Sequence, residues 1–281
     1  MKYWAKSWNT IYGCTKIRSG CTHCWGALMA ARMQGNGLLE NVVDIHSEWT
    51  GNIIYKPDRL DLPRHWRKSQ TVAVNWMGDM FHQNVPVGVW RETYQVMAET
   101  PQHCYLVLTK RYDEMIQTIS EKPLENVYLG VTISCRKDVS EAWLPLYDLS
   151  KKGWSTWVSF EPALEEISWV GYEWLNGMVC GGESGTNARP MPIQAAYGAR
   201  DYCRLYKIPF TFKQGSLGAP AVLDGRAWTE FPLTQRASDA AESPPGRPTP
   251  DATDYRKARG VLPWKDGDEL PEVSIRRLRG G

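Results

Sequence analysis

From residue 71 onward the chain repeats one pattern: a short β-branched or aromatic run, a polar or glycine-rich turn, then a stretch with apolar positions at helical spacing. The runs are 71–75 (TVAVN), 104–109 (CYLVLT), 127–132 (VYLGVT), 156–160 (TWVSF), 177–180 (GMVC) and 208–212 (IPFTF). Near-continuous apolar strands of this kind belong to parallel sheets covered on at least one face. Residues 87–99 place Val89, Trp90, Tyr94, Val96 and Met97 at roughly helical spacing, and Pro86 suits a first-turn position. Residues 111–120, 193–206 and 25–33 read the same way. Six or seven βα units predict an open or closed α/β barrel.

The strand ends sharpen that picture, because ligands of such barrels gather at the carboxyl ends of the strands. Here those ends read Asn75-Trp-Met-Gly-Asp79, Thr109-Lys-Arg111, Thr132-Ile-Ser134, Ser159-Phe-Glu161, Gly181-Gly-Glu-Ser-Gly185 and Lys213-Gln-Gly215. Packing does not ask for six polar strand ends. A shared site on one barrel face does.

At 281 residues the chain is long enough for one large core plus a tail, expected as a barrel over 1–215 and an extension over 216–281. Residues 236–251 are rich in Pro, Ala and polar residues, so 236–255 is expected to be a flexible linker, leaving the extension partly disordered. The apolar VLPW at 261–264 and the basic IRRLR at 275–279 are expected to dock back or to present a solvated basic end. A net charge of +2 gives no global polyanion signature, so nucleic-acid binding would need a local patch. Fourteen tryptophans are enough to cover a core and still line a base-stacking groove. The N-terminus lacks an apolar stretch of signal-peptide length, and no run of about 18 apolar residues occurs. With an odd count of seven cysteines, a cytoplasmic protein with reduced thiols and no membrane contact is expected.

Three of those cysteines, Cys14, Cys21 and Cys24, fall within eleven residues and supply three thiolates from one loop. That is one short of a closed zinc or cluster site. His23, His46 or His82 would complete a structural zinc site. A 4Fe-4S cluster would instead leave one iron open to a small molecule, and the spacing alone admits both. Cys104 and Cys180 fall in strand runs, where a free cysteine behaves as a small hydrophobe, and Cys135 and Cys203 are isolated.

The ordered series of Trp8-Asn, Gly13-Cys-Thr, Gly20-Cys-Thr-His-Cys24, Asn75, Gly78-Asp-Met-Phe-His82, Leu108-Thr-Lys-Arg111, Leu129-Gly-Val131, Ser159-Phe-Glu-Pro162, Gly181-Gly-Glu-Ser-Gly185, Ala188-Arg-Pro190 and Phe212-Lys-Gln214 resembles a phage and prophage protein family related to radical S-adenosylmethionine (SAM) enzymes. The resemblance runs over about residues 4–232. It implies a partial (β/α)6-type barrel, a 4Fe-4S cluster on Cys14, Cys21 and Cys24, and SAM chelated at the open iron. Such a site generates a 5'-deoxyadenosyl radical that takes a hydrogen from substrate, and it needs a reducing electron donor. Two departures stand out: six residues instead of three separate the first two cysteines, and His23 stands where an aromatic residue commonly precedes the third.

On chemistry, Asn75, Gly78 and Asp79 suit the methionyl amino group or ribose of SAM. Ser159 suits ribose or the ammonium, and His23 suits adenine. Gly181 and Gly182 permit close backbone approach, and Glu183 suits a cationic group. Lys110, Arg111 and Lys213 suit a substrate anion, and Glu161, Lys110 and Lys213 are the candidate catalytic groups. The function expected from the resemblance is an isomerase acting on an amino-acid-modified thymine in phage DNA, in the host cytoplasm. A radical SAM lyase, or a modifier of another nucleic acid or a peptide, fits the motifs too. A different class is a zinc-stabilised nucleic-acid-binding module without catalysis, built on Cys14, Cys21, Cys24 and His46.

Overall fold

The computed structural model describes residues 2–185, 187–216 and 219–232. The expected linker at 236–255 and the motifs beyond it lie outside the described residues. In chain order the elements are β1 (Lys6–Trp8), β2 (Ile11–Tyr12), α1 (Trp25–Gly35), β3 (Ile54–Tyr55), β4 (Thr71–Val74), α2 (Val89–Glu99), β5 (Cys104–Thr109), α3 (Tyr112–Thr118), β6 (Val127–Thr132), α4 (Arg136–Lys151), β7 (Ser155–Phe160), β8 (Gly177–Gly181), α5 (Ile193–Leu205), β9 (Phe210–Gln214), β10 (Val222–Leu223) and β11 (Arg226–Ala227).

Seven of the strands form one sheet in the order β1-β4-β5-β6-β7-β8-β9, every pair parallel. The order never reverses, as it would in a doubly wound fold. The sheet curls into a half-barrel with β1 and β9 as its edges. This is the expected partial barrel, with one strand more than the six runs. The added strand, β1, is three residues long with two of them exposed, too short to carry a hydrophobic period.

Side chains alternate across the sheet as the strand period requires. Val72, Val74, Tyr105, Val107, Leu129, Val131, Val158, Phe160, Met178, Phe210 and Phe212 face the helices. They share one core with Val96 and Met97 of α2, Met115 of α3, Leu146 of α4 and Ala199 of α5. The intervening residues Leu106, Trp157 and Val179 line the other face with Tyr3 and Phe231. That inner space is filled at one end by aromatic rings, and two glycines make room for them. A Cβ on Gly130 would stand 2.2 Å from Trp157 Nε1, and one on Gly177 would stand 2.0 Å from Phe231.

Local departures from the sequence reading have physical causes. Helix α2 begins at Val89 rather than 87, because Gly88 at its N-cap has φ +94° and Pro86 stays outside the helix. No helix joins β7 to β8, and the chain makes turns across 161–176. Helix α4 runs through Pro145. After β9, the β10–β11 hairpin turns on Asp224 and Gly225, both at positive φ, and residues 228–231 return along β9 through Phe212 N–H to Trp228 O and Glu230 N–H to Phe210 O. No described helix is long and apolar enough to cross a membrane.

Candidate active site

The cysteine loop, residues 13–24, crosses the carboxyl ends of the strands and is pinned at three points. At its start Gly13 bridges to Gly78, and the approach is close enough to exclude side chains. A Cβ on Gly78 would stand 2.8 Å from Gly13 O, and Gly13, at φ +103°, would put one 2.0 Å from Asn52 O. Over β5 and β6, Arg18 donates from Nε to Lys110 O (2.7 Å), reaches Asp138 Oδ1 (3.2 Å) and Glu141, and lies 3.8 Å from the Tyr112 ring centre. Over β8, Arg189 Nη2 donates to Ser19 O (3.0 Å).

Glu183 supports that third point. Its carboxylate accepts from Arg189 Nε and Nη2 (3.0 and 2.6 Å), from the Arg189 backbone N–H (2.8 Å) and from His23 Nδ1 (2.9 Å). Burial pushes the carboxyl up, but the Arg189 and His23 hydrogen bonds outweigh it and hold its pKa down at about 2. His23 and Glu183, two of the expected cofactor-binding residues, thus pair with each other. They hold the cysteine loop to β8.

The β4 end carries a second structural knot. Asn75 sits in the left-handed region at φ +56°, and its Oδ1 accepts from Thr10 N–H (2.6 Å) and Ile11 N–H (2.9 Å), while its buried Nδ2 has no hydrogen-bond partner among the described residues. The buried Asp79 carboxylate accepts from Thr109 Oγ1 (2.7 and 2.8 Å) and Phe81 N–H (3.0 Å). Arg111, expected to meet a substrate anion, is instead buried. Its Nη2 donates to Thr15 Oγ1 (2.6 Å) and its Nε lies 3.9 Å from Asp79 Oδ2. Thr15 Oγ1 also contacts His82 Nε2 (3.1 Å). Because the Asn84 N–H donates to His82 Nδ1 (3.1 Å), the neutral ring carries its proton on Nε2 and gives it to Thr15.

Across the mouth, Glu161 accepts from Tyr3 OH (2.9 Å) and Ser159 Oγ (3.1 Å) and pairs with Lys213 Nζ (2.8 Å). Lys213 Nζ also lies 6.0 and 5.9 Å from the Tyr3 and Trp4 ring centres, and Trp4 meets Trp76 at 4.6 Å. The fold brings Ser159, Glu161 and Lys213 together. The sequence carries no sign of Tyr3 and Trp4, which lie more than 150 residues from Glu161 in the chain. Gly181 and Gly182 have a packing reason: a Cβ on Gly181 would stand 3.2 Å from Glu161 Oε1, and one on Gly182 2.8 Å from Gly215 O.

The three thiols lie within electrostatic reach of one another and of Lys110. Burial, then the Asp79 charge, pushes the Cys14 thiol up to about 12, so ligation by Cys14 would release a proton. Trp49 Nε1 donates to Cys24 Sγ (3.4 Å), the kind of hydrogen bond that tunes a ligating thiolate. No three His, Cys, Asp or Glu among the described residues stand close enough to hold one metal ion, and His46 is exposed. That leaves no compact Cys14, Cys21, Cys24 and His46 zinc set among them. A cluster takes one thiolate per iron, so it does not need the thiols on a single ion. Thr132 Oγ1, Ser134 Oγ and Arg111 Nε, all at strand ends, are buried without a hydrogen-bond partner among the described residues, like Asn75 Nδ2.

No curated protein matches the sequence. Among solved structures, a cysteine-to-serine variant of spore photoproduct lyase is similar at 10% identity and a TM-score of 0.45, over 71% of this chain and 72% of that one. A tyrosine-to-phenylalanine variant of the same lyase covers the same shares at 10% identity and a TM-score of 0.38. A family model matches residues 1–237, and by that match the chain belongs to the family described as protein of unknown function (DUF5131).

Proposed function

We propose that the chain is a radical SAM enzyme in which Cys14, Cys21 and Cys24 hold a 4Fe-4S cluster and the polar end of the half-barrel holds SAM and substrate. One observation carries this reading: three thiols from a single, firmly pinned loop lie over strand ends whose buried polar atoms lack partners. Such atoms are rare in folded proteins, and those of Asn75 and Thr132 would gain partners from a polar ligand at the strand ends. When bound, the cluster with SAM supplies one-electron chemistry that ends in hydrogen abstraction from substrate.

The chain's own residues position and shield that chemistry. The Asn75 amide and the hydroxyls of Thr132, Ser134 and Ser159 offer donors and acceptors to the amino-acid and ribose parts of SAM. Gly78, Asp79, Gly181, Gly182, His23 and Glu183 act on it at one remove, by fixing the backbone around it. Lys213 and Glu161 form the substrate side. Their ion pair can hold a substrate anion on the ammonium or pass a proton between the two groups.

The substrate we propose is an amino-acid-modified thymine in phage DNA, the reaction an isomerisation that moves the amino-acid link from nitrogen to carbon. The hydrogen removed from the α-carbon is returned, so the product keeps the substrate's mass. Trp4 and Trp76, only partly buried and packed together beside Lys213, support a flat, stackable substrate, and a base would have to leave the helix to reach them. Incubating the reduced, SAM-supplied enzyme with modified phage DNA and analysing the digested nucleosides tests this. An isomerase gives a nucleoside of unchanged mass and new retention time, lost in Lys213→Ala. A nucleoside of altered mass points to a lyase or another modification, and an unaltered nucleoside contradicts the substrate assignment.

A further inference from the structure

Lys110 has a different place from the one its strand-end position implies. It continues the alternation of Cys104, Leu106 and Leu108, so its side chain enters the inner space of the half-barrel. Its backbone is clamped on both sides: the N–H donates to Asp79 Oδ2 (3.3 Å) and the carbonyl accepts from Arg18 Nε (2.7 Å). The side chain then runs beneath the cysteine loop. Its Cε lies 3.5 Å from the point where a Cβ on Gly20 would stand, beside Cys21. The orphaned Ser134 Oγ lies 2.3 Å from the same point, so only glycine lets the loop settle this low over β5 and β6.

The neighbouring cations are committed elsewhere. Arg18 pairs with Asp138 and Glu141, Arg189 with Glu183, Lys16 with Glu48, and Arg111 lies against Asp79. Among the described residues Lys110 has no carboxylate within ion-pair distance, and its side chain runs beneath the loop that carries the three thiols. Three thiolates gathered over a partly buried strand end need an opposing charge, since uncompensated buried charge is costly.

We propose that Lys110 is the fixed counter-charge of the three-cysteine loop, stabilising the negative charge that Cys14, Cys21 and Cys24 carry as ligands and so raising the reduction potential of the cluster they hold. The inference rests on the radical SAM reading and gives Lys110 a positioning and tuning role, distinct from contact with substrate. Net charge near a cluster sets its potential, and a reduced cluster carries one more negative charge than an oxidised one. Removing the ammonium therefore penalises the reduced state more.

The test is a redox titration, followed by electron paramagnetic resonance, of the anaerobically reconstituted full chain. Wild type is compared with Lys110→Met, which keeps the stem and drops the charge, and with Lys110→Arg, which keeps the charge. The expected result is an undiminished iron content in all three, a midpoint shifted to more negative potential in Lys110→Met, and one near wild type in Lys110→Arg. Failure of Lys110→Met alone to load a cluster, with Lys110→Arg loading normally, also supports a charge requirement. A wild-type midpoint in Lys110→Met overturns the inference while leaving the cluster in place, as does loss of the cluster in both variants, which would assign the effect to side-chain shape. A wild type that takes up no cluster overturns the radical SAM reading itself.

Discussion

His82 shows how much a single residue depends on its surroundings. It is buried, its Nδ1 accepts from Asn84 and its Nε2 faces Thr15 and, beyond it, Arg111. Burial, and then the Arg111 charge, lowers its pKa from 6.5 to about 4. The unfolded chain takes up a proton at this site below about pH 6.5, and the folded chain resists until about pH 4. Stability from this site is therefore complete above about pH 6.5 and declines as pH falls toward 4. Thermal melts across that range are expected to fall less steeply in His82→Gln than in wild type, and parallel profiles would contradict the account. Cys14, Cys21 and Cys24 were legible at this scale because their spacing is local. The pairing of His23 with Glu183 was not, because its meaning depends on a contact across 160 positions.

The element that matters most is the cysteine loop, whose order comes from side chains reaching out of it and into it. Arg18 contributes a cation–π contact, a backbone hydrogen bond and an ion pair at once, so Arg18→Ala removes all three and leaves the buried Asp138 without its cation. We expect a loss of about 2–4 kcal/mol and faster hydrogen exchange across residues 13–24, with β5 and β6 protected as before. Unchanged exchange in the loop would show that Gly13 and Arg189 hold it unaided. The strands β4 to β9 were legible as elements because each is an apolar run of several residues. β1 was not, because three residues carry no period and its place at the edge is set by pairing with β4. Arg111 was read as a rim residue because it follows a strand. Tertiary contact with Thr15 and Asp79 turns it inward.

At the scale of the whole molecule, the half-barrel works by filling one end of its inner space and leaving the other polar. Trp157 occupies the filled end, fully buried, with Nε1 directed to Val107 O (3.2 Å) and Tyr128 O (3.3 Å). Trp157→Ala is expected to cost about 3–5 kcal/mol. Gly130→Ala, which crowds the same ring, is expected to cost about 1–3 kcal/mol. Both are read from chemical denaturation, and a neutral Gly130→Ala would contradict the packing described for the inner face. The curl of the sheet and the polar strand ends followed from the order of the runs. The aromatic fill did not, since Tyr3, Trp76, Trp157 and Phe231 come from four distant segments.

In the proposed enzyme Cys14, Cys21 and Cys24 hold a redox cluster and the polar end of the half-barrel holds SAM. The most direct measurement is the iron, sulfide and zinc content of the anaerobically reconstituted chain, with 5'-deoxyadenosine release from SAM after dithionite reduction and Cys24→Ala as control. About four irons per chain, and deoxyadenosine that disappears in Cys24→Ala, are the predicted result. One zinc per chain, no iron and no cleavage of SAM would contradict it.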